Sequence, residues 1–323
     1  MTAPLIQRAL TDSDAAAYAA LTAAIAAAGG NDRPEDEATF RFYLRYTATP
    51  PGFEGFRGVF DGDRLVAMAW VMRRAVADPV HWMQSQGGVH PDYLGRGIGT
   101  RLVRWQLDRA ARIHEHYFPG HPLELGVRVL DRNQAAQELL VNEGYATDRW
   151  FFTMRRPAEA PFPAVAFPAG LELEPYTDAV RDELHRAKKE AFVDHWHHVP
   201  MTDEEWADWI NAESRRHDLS FLLRDPANGE IAGFILSGFN KAEFEATGVR
   251  DLHLHIIGTR EAYRGRGVAS ALIAHAVHEG RKVGFEGATL SVDAENPTGA
   301  LGVYERNGFA CVSRNAVYIR KFG

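Results

Sequence analysis

The same short pattern occurs twice in this chain: a strand, a glycine-rich loop and an apolar helix. The first loop is Leu94-Gly-Arg-Gly-Ile-Gly99, and the second is Arg264-Gly-Arg-Gly-Val-Ala269. Gly97 and Gly267 lie 170 residues apart (267 minus 97), so the repeated unit has the size of a domain. A chain of 323 residues has room for two such units.

A proline-rich segment separates the two copies. Pro157, Pro161, Pro163 and Pro168 all fall between Arg156 and Gly170. Segments of this composition are extended and semi-rigid. We therefore expect an N-terminal domain at 1–156, a linker at 157–169 and a C-terminal domain at 170–323.

The second copy contains the more informative loop. Alternating residues predict a strand at 251–259, with Leu252, Leu254 and Ile256 on one face and His253, His255 and Ile257 on the other. The loop then leads into a helix, whose first N–H groups and positive dipole end favour phosphates. Arg264 and Arg266 add positive charge, so the loop is a candidate pyrophosphate site.

A second motif follows the loop in the same copy. Ala288–Asp293 predicts a strand, after which come Asn296, a short helix with Tyr304, and Gly308-Phe309. Together with the Arg-x-x-Gly-x-Ala loop, this order resembles the GNAT superfamily of N-acetyltransferases. The resemblance covers nearly the whole chain, more loosely in the first copy. It implies an α/β fold of two tandem GNAT-like domains, each a mixed β-sheet flanked by helices on both faces.

The resemblance also implies acetyl-CoA as co-substrate, and no metal. The residues that match the cofactor-binding positions are Ile257, Gly258, Thr259, Arg264, Gly265, Arg266, Gly267, Val268, Ala269 and Asn296. The loop would hold the pyrophosphate, the end of the strand would pair with the pantetheine arm, and the asparagine would contact that arm.

Proton-handling residues are expected in the second copy. Tyr304 matches the GNAT general acid, and its phenol is protonated near neutral pH. The His253 and His255 pair resembles that of arylalkylamine N-acetyltransferases, and an imidazole can accept the amine proton. Asp251, on the same face, could orient an imidazole. The alternative for Tyr304 is an aromatic residue that only packs. The alternative for the histidines is that they are ordinary polar residues on a sheet.

The first copy departs from the pattern. Eleven residues before its loop stands Met83, where the same count gives His253 in the second copy. Leu140 and its neighbour Val141 stand where Tyr304 is expected, and neither can transfer a proton. The loop is either a second CoA site or only structural; the residues of that second site would be Val89, Gly95, Arg96, Gly97, Ile98 and Gly99.

The segment Asp194-His195-Trp196-His197-His198 joins two predicted helices. In GNAT folds the corresponding loop lines the acceptor site. This makes Asp194, His195 and Trp196 candidates for acceptor recognition. A metal site is a second interpretation, although the spacing fits no standard zinc pattern. A polar loop anchored by one tryptophan is the third.

Composition excludes several classes of protein. The formal net charge of −7 gives no reason to expect nucleic-acid binding. No run of about 18 apolar residues occurs, so we expect no membrane span and a cytoplasmic location. The single cysteine, Cys311, excludes an internal disulfide and is expected as a buried core thiol.

These inferences point to an acetyl-CoA-dependent N-acetyltransferase that acts on the primary amine of a small molecule, as a monomer or homodimer, with catalysis in the C-terminal domain. The tandem layout resembles the mycothiol synthase family, which has a glutamate at the position of His253, so its substrate is not carried over. The alternatives are a non-catalytic acyl-CoA-binding or sensing protein and a peptide or protein N-acetyltransferase.

Overall fold

A computed structural model describes residues 4–47, 54–74, 76–161, 165–296 and 299–322. Within them, the strands are β1 (Ile6–Ala9), β2 (Phe56–Asp61), β3 (Arg64–Met72), β4 (His81–Val89), β5 (Leu123–Leu130), β6 (Ala146–Pro157), β7 (Glu172–Pro175), β8 (Phe221–Asp225), β9 (Glu230–Gly238), β10 (Asp251–Thr259), β11 (Gly287–Asp293) and β12 (Ala310–Phe322). The helices are α1 (Ala15–Ala27), α2 (Glu37–Thr47), α3 (Ile98–Tyr117), α4 (Gln134–Asn142), α5 (Arg181–Ala191), α6 (Asp203–Ile210), α7 (Lys241–Thr247), α8 (Val268–Lys282) and α9 (Ala300–Arg306).

The chain forms two compact units. Unit 1 comprises Met1–Trp150 and Ser313–Gly323, and unit 2 comprises Phe151–Val312. Contacts divide the chain at 150/151 and again at 312/313. The linker at 157–169 stays a prediction.

Unit 1 has a mixed sheet in the order β1-β2-β3-β4-β5-β12. Strand β4 is antiparallel to β3 and parallel to β5. One face carries a core with residues of α1 and α2, such as Tyr18 and Phe40. The other face packs against α3 through Leu102, Val103 and Ile113. Helices therefore cover both faces, as predicted.

Unit 2 has the corresponding order β6-β11-β10-β9-β8-β7. Strand β10 is antiparallel to β9 and parallel to β11. Apolar residues of α8 and α9 form the core on one face, with Leu272 and Ile273 fully buried. Helices α5 and α6 supply the core on the other face, including Leu184 and Trp206. The predicted mixed sheet with helices on both faces is confirmed here as well.

The last strand of each unit comes from a distant part of the chain. In unit 1, β5 pairs with β12 from Asn315 to Phe322. In unit 2, β11 pairs with the end of β6, from Phe151 to Pro157. Phe151 to Met154, which precede the predicted linker, therefore pair within unit 2.

Other details differ from the expected elements. The short strands β1 and β7 and the helix α7 had no clear sequence signal. Cys311 is exposed, not a core thiol, because burial in β12 begins only at Ala316. None of the described helices is both long and apolar enough to cross a membrane.

Candidate active site

Strands β10 and β11 separate in the middle of unit 2. Their parallel pairing ends at His253 and Thr289, although the strands continue to Thr259 and Asp293. On its other side β10 stays paired with β9 as far as Thr259. The edge of β10 that faces β11 is therefore unpaired with it beyond His253, so its backbone is positioned to pair with an extended ligand.

A β-bulge at His255 changes which residues of β10 face each helix layer. The register with β9 shifts between Leu254 and Ile256. As a result Ile257 packs in the α8 core with Leu254, whereas Ile256 packs in the α5–α6 core. The predicted alternation is therefore correct up to His255 and wrong for Ile256 and Ile257, because a bulge adds one residue to the strand.

His253 is held by a hydroxyl on the neighbouring strand. It is 7% exposed, and its Nδ1 lies 2.9 Å from Oγ1 of Thr289, its partner in the parallel pairing. When Nδ1–H donates to this hydroxyl, the lone pair is on Nε2. The contact thus fixes the ring, and in that tautomer Nε2 can accept a proton.

His255 has a different partner. Its Nε2 lies 2.5 Å from Nη1 of Arg215, and a guanidinium only donates, so Nε2 is the acceptor. The space for this imidazole comes from Gly238, where a Cβ would lie 2.4 Å from His255 Nε2. Because its Nε2 lone pair is occupied, His255 is less suited than His253 to act as the base.

Arg215 is itself fixed by Trp209. Its Nε donates to the Trp209 carbonyl at 3.0 Å, and its guanidinium carbon lies 3.8 Å from the centre of the indole. The imidazoles of His253 and His255 meet edge to face, with centroids 4.3 Å apart. Trp209, Arg215, His255 and His253 therefore form a continuous row on the α5–α6 side of the sheet.

Tyr304 lies in the core beside α8. It is 9% exposed, and burial raises the pKa of its phenol to about 12. Its hydroxyl has no hydrogen-bond partner within the described part of the chain. The hydroxyl therefore stays protonated over the physiological range and is available to a ligand.

The end of α9 is fastened by two buried side chains. Asn307 donates to Ser270 Oγ at 3.2 Å and to the Val303 carbonyl at 2.8 Å. Arg156 donates to the Asn307 carbonyl at 3.0 Å and is 1% exposed. These bonds fix the helix that carries Tyr304.

The glycine loop of unit 2 has the shape expected of an anion site. Gly265 and Gly267 have φ of 73° and 83°, and a Cβ at either would meet no atom within 4 Å. Gly267 caps the N-terminus of α8, followed by the buried Val268 and half-buried Ala269. The open approach and the unpaired N–H groups of the first helical turn fit a pyrophosphate.

The two loop arginines face different neighbours. Arg264 reaches the carbonyls of Thr259 and Ala191, at 3.5 and 3.3 Å, and lies 3.6 Å from the Asp194 carboxylate. Arg266 lies over the ring of Tyr263, 5.3 Å from its centroid. Asp194 is thus next to the predicted cofactor loop.

Further predicted residues lie near the same region. His195 is 4.3 Å from the ring of Phe192, and burial lowers the pKa of its imidazole. Trp196 packs 6.1 Å from Phe151. The Asn296 carbonyl accepts from Gly299 N at 3.2 Å, before the short helix α9. No group of three metal-ligating side chains is found among the described residues.

The structure gives Asp251 another role than the one considered. Both of its carboxylate oxygens accept from Arg155, at 2.5 and 3.1 Å. The side chain that contacts the His253 ring nitrogen is Thr289 instead. Asp251 therefore does not orient His253.

Thr289, Arg215 and Trp209 did not emerge from the sequence. Thr289 contacts His253 only through the register of two strands that are 36 residues apart. Arg215 lies outside any motif, in the segment after α6, and reaches His255 across 40 residues. Such contacts leave no local signal in the sequence. For Trp209 alone, the spacing of three residues from Trp206 places both indoles on one face of α6, where they stack.

Unit 1 has the same frame with other side chains. Its loop glycines Gly95 and Gly97 have φ of 72° and 69°, while Arg96 donates to the Asp92 carbonyl. Ile98 is buried at the start of α3, and a Cβ at Gly99 would lie 3.1 Å from Leu139 and 3.9 Å from Val89. The loop shape is compatible with a second CoA site, which stays a prediction.

One counted position in unit 1 is wrong. Met83 packs in the α3 core with Val71, on the face opposite to that of His253. The residue on the α1–α2 face is Gln84, whose partner Met72 packs in the core there. The count failed because β10 has a bulge and the pairing of β4 with β3 is regular. Gln84, an amide, cannot act as a base.

The other counted position is correct. Tyr145 N donates to the Leu140 carbonyl at 3.0 Å, and Phe309 N donates to the Tyr304 carbonyl at 3.1 Å. These equivalent bonds, each closing the end of a short helix, place Leu140 where unit 2 has Tyr304.

Comparison with known proteins agrees with this geometry. Residues 181–309 match the acetyltransferase (GNAT) family. The mycothiol acetyltransferase of Thermobispora bispora is 28% identical over 96% of this chain and 97% of its own. A GCN5-related N-acetyltransferase from Sphaerobacter thermophilus has a TM-score of 0.75 and 25% identity, over 98% of this chain and 95% of that one. A tandem GNAT protein from the clavulanic acid biosynthesis pathway has the same fold, with a TM-score of 0.72, 15% identity and 99% coverage of both chains.

Proposed function

We propose that this N-acetyltransferase, whose residues 181–309 match the GNAT family, transfers the acetyl group of acetyl-CoA to the primary amine of a small molecule, with the chemistry in unit 2. The observation that carries this proposal is the end of the β10–β11 pairing at His253 and Thr289. There, an anchored imidazole lies where the open strand edge begins. The name of the T. bispora relative, a mycothiol acetyltransferase, supports a small-molecule acceptor.

The backbone and the loop would bind the co-substrate. The N–H groups at the start of α8, with Arg264 and Arg266, would hold the pyrophosphate, and Asn296 would contact the pantetheine arm. The open edge of β10 at Ile257, Gly258 and Thr259 would pair with that arm. An N–H group there can also stabilise negative charge on the acetyl oxygen.

Two side chains would move the protons. Nε2 of His253 would accept a proton from the acceptor ammonium, directly or through water, while Thr289 holds Nδ1. The amine nitrogen would then form the amide bond as the carbon–sulfur bond breaks. Tyr304 would give its hydroxyl proton to the leaving sulfur and recover one from the amine nitrogen, so the net products are amide, free thiol and one proton.

The test is acceptor-dependent release of CoA from acetyl-CoA, followed with a thiol reagent. The acceptors would be arylalkylamines, polyamines, amino sugars, aminoglycosides and amino acids. Release with at least one acceptor, lost in Tyr304→Phe, is the expected result. Acetyl-CoA binding without release for any acceptor would overturn the proposal and favour a sensing protein or a peptide acceptor.

A further inference from the structure

Arg215 has no anionic partner among the residues that the structure describes. The two hydrogen bonds of its side chain go to the Trp209 carbonyl and His255, and Nη2 has none within the ranges that the structure describes. No described carboxylate lies within 4 Å of its guanidinium, and burial lowers the pKa of Arg215 to about 10. A desolvated cation without a counter-charge is destabilising unless an anion joins it.

Several other arginines of unit 2 are paired with carboxylates. Arg155 is paired with Asp251, Arg216 with Asp218, Arg224 with Glu174 and Glu183, and Arg260 with Glu190 and Glu230. The buried Arg156 is satisfied by carbonyl groups. Arg215 differs from the ion-paired arginines because no described carboxylate compensates its charge. It differs from Arg156 because it contacts His255, whose ring meets that of His253.

The geometry limits how far an anion at Arg215 can be from an amine at His253. Nη1 of Arg215 lies 2.5 Å from His255, and the two imidazole centroids are 4.3 Å apart. An acceptor that meets both groups must therefore carry its anion within a few bonds of its amine. Trp209 fixes the plane of the guanidinium, and a planar fork matches the two oxygens of a carboxylate.

We propose that the acceptor is an α-amino acid, whose carboxylate is held by Arg215 while its amino group faces His253. This inference rests on the proposed function, since it names the acceptor class of the same site. Arg215 would set specificity through its outer N–H groups and would not itself exchange a proton.

The test compares matched acceptors. Each of a set of α-amino acids is assayed beside its primary amide and its α-aminophosphonic acid analogue, with kcat/KM from CoA release. For the accepted side chain we expect the amino acid to exceed its amide by about 100-fold, the scale of one charged hydrogen-bonded pair. A phosphonic acid preferred over the amino acid, or an amide that reacts equally well, would overturn the carboxylate assignment.

Two variants locate the preference. In Arg215→Gln the ratio of amino acid to amide should fall to about one, and Arg215→Lys should keep part of it. Arg216→Gln is the matched control, because Asp218 already neutralises that neighbour, and it should keep the full preference. Unchanged acetyl-CoA binding in each variant shows that the fold is intact.

Different results would contradict the proposed acetyltransferase function and the proposed α-amino acid acceptor. If uncharged amines react and amino acids do not, the acetyltransferase proposal stands and the assignment to Arg215 falls. If Arg215→Gln keeps the full preference, another cation binds the carboxylate and the assignment also falls. If no amine reacts, both proposals fall.

Discussion

Gly97 and Gly267 cap helices α3 and α8 in the same left-handed conformation, with φ of 69° and 83°. Each loop is anchored in the same way by a tyrosine just before it. Tyr93 donates to Asp61 at 2.6 Å, and Tyr263 donates to Asp225 at 3.1 Å, each aspartate lying at the end of a strand. The two copies thus share the frame that presents a glycine loop.

The chemistry differs where the frame is the same. Unit 2 has His253 and Tyr304 in two positions where unit 1 has Gln84 and Leu140. The strands also separate at different points, since β4 and β5 stay paired through Ser85 whereas β10 and β11 part at His253. The loop and its helix can therefore persist without catalytic groups, so a glycine loop alone is weak support for activity.

The largest expected effect comes from removing the hydroxyl of Tyr304, a group that its counterpart Leu140 lacks. Tyr304→Phe should lower kcat about 100-fold or more, since general acid catalysis contributes on that scale. The Kd for acetyl-CoA should stay within about twofold, which isothermal titration calorimetry measures. Leu140→Met is the matched control in unit 1 and should leave kcat unchanged. Equal kcat in Tyr304→Phe would remove the proton-donor role.

The pKa of about 12 at Tyr304 has its own consequence. Burial favours the neutral phenol, so the hydroxyl remains protonated up to pH values near the raised pKa. Wild-type kcat should therefore show no decline from Tyr304 ionisation between pH 7 and about 10. A decline in that range that Tyr304→Phe abolishes would contradict the buried, neutral phenol.

The next effect comes from copying Gln84 into unit 2. His253→Gln should lower kcat/KM about 10- to 100-fold below the pKa of the acceptor amine, where most of the amine is still protonated. The deficit should shrink as the pH approaches that pKa. The reverse change in unit 1, Gln84→His, should not raise activity. A ratio of wild type to His253→Gln that is constant with pH would exclude His253 as the base.

A smaller effect distinguishes the two loops. Gly267→Ala and Gly97→Ala should each destabilise the protein by about 1 kcal/mol, because alanine is strained at positive φ. Only Gly267→Ala should also raise the KM for acetyl-CoA, by about tenfold. If Gly97→Ala raises this KM equally, the loops are not distinct in function.

Calorimetry of both variants also counts CoA sites. Loss of a second site in Gly97→Ala would show that the first loop binds CoA.

Much of this comparison could be predicted from the sequence, because it depends on local pattern. Strand β10 has the predicted bounds, and the helix α8 follows the glycine loop as expected. Hydrophobic period, glycines and caps are properties of neighbouring residues.

The remainder depends on contacts between distant residues. The bulge at His255 exists only relative to β9, and the bonds of His253 to Thr289 and of His255 to Arg215 depend on how strands and loops meet. Long-range pairing also decides which segments form the last strand of each unit, β12 in unit 1 and the end of β6 in unit 2. The exposure of Cys311 in β12 depends on the same pairing. A single sequence does not encode these pairings in any local pattern.

The smallest expected effect concerns stability and the first residues of the two central strands. Asp251 opens β10 and is paired with Arg155, whereas His81 opens β4, is fully buried, and lies 3.0 Å from His114, Nδ1 to Nδ1. Burial and then the charge of His114 lower the pKa of His81 to about 4. His81 therefore binds a proton near pH 6.5 in the unfolded chain but only near pH 4 in the folded protein.

Stability should consequently fall as the pH decreases from about 6.5 to 4, by up to about 1 kcal/mol per pH unit from this group. His81→Phe removes the titrating group while keeping an aromatic ring beside Phe118, so its Tm should vary less between pH 7 and 5 than that of the wild type. The exposed His278 provides the control, and His278→Gln should retain the wild-type slope. The same slope in His81→Phe and wild type would mean that other groups cause the acid sensitivity.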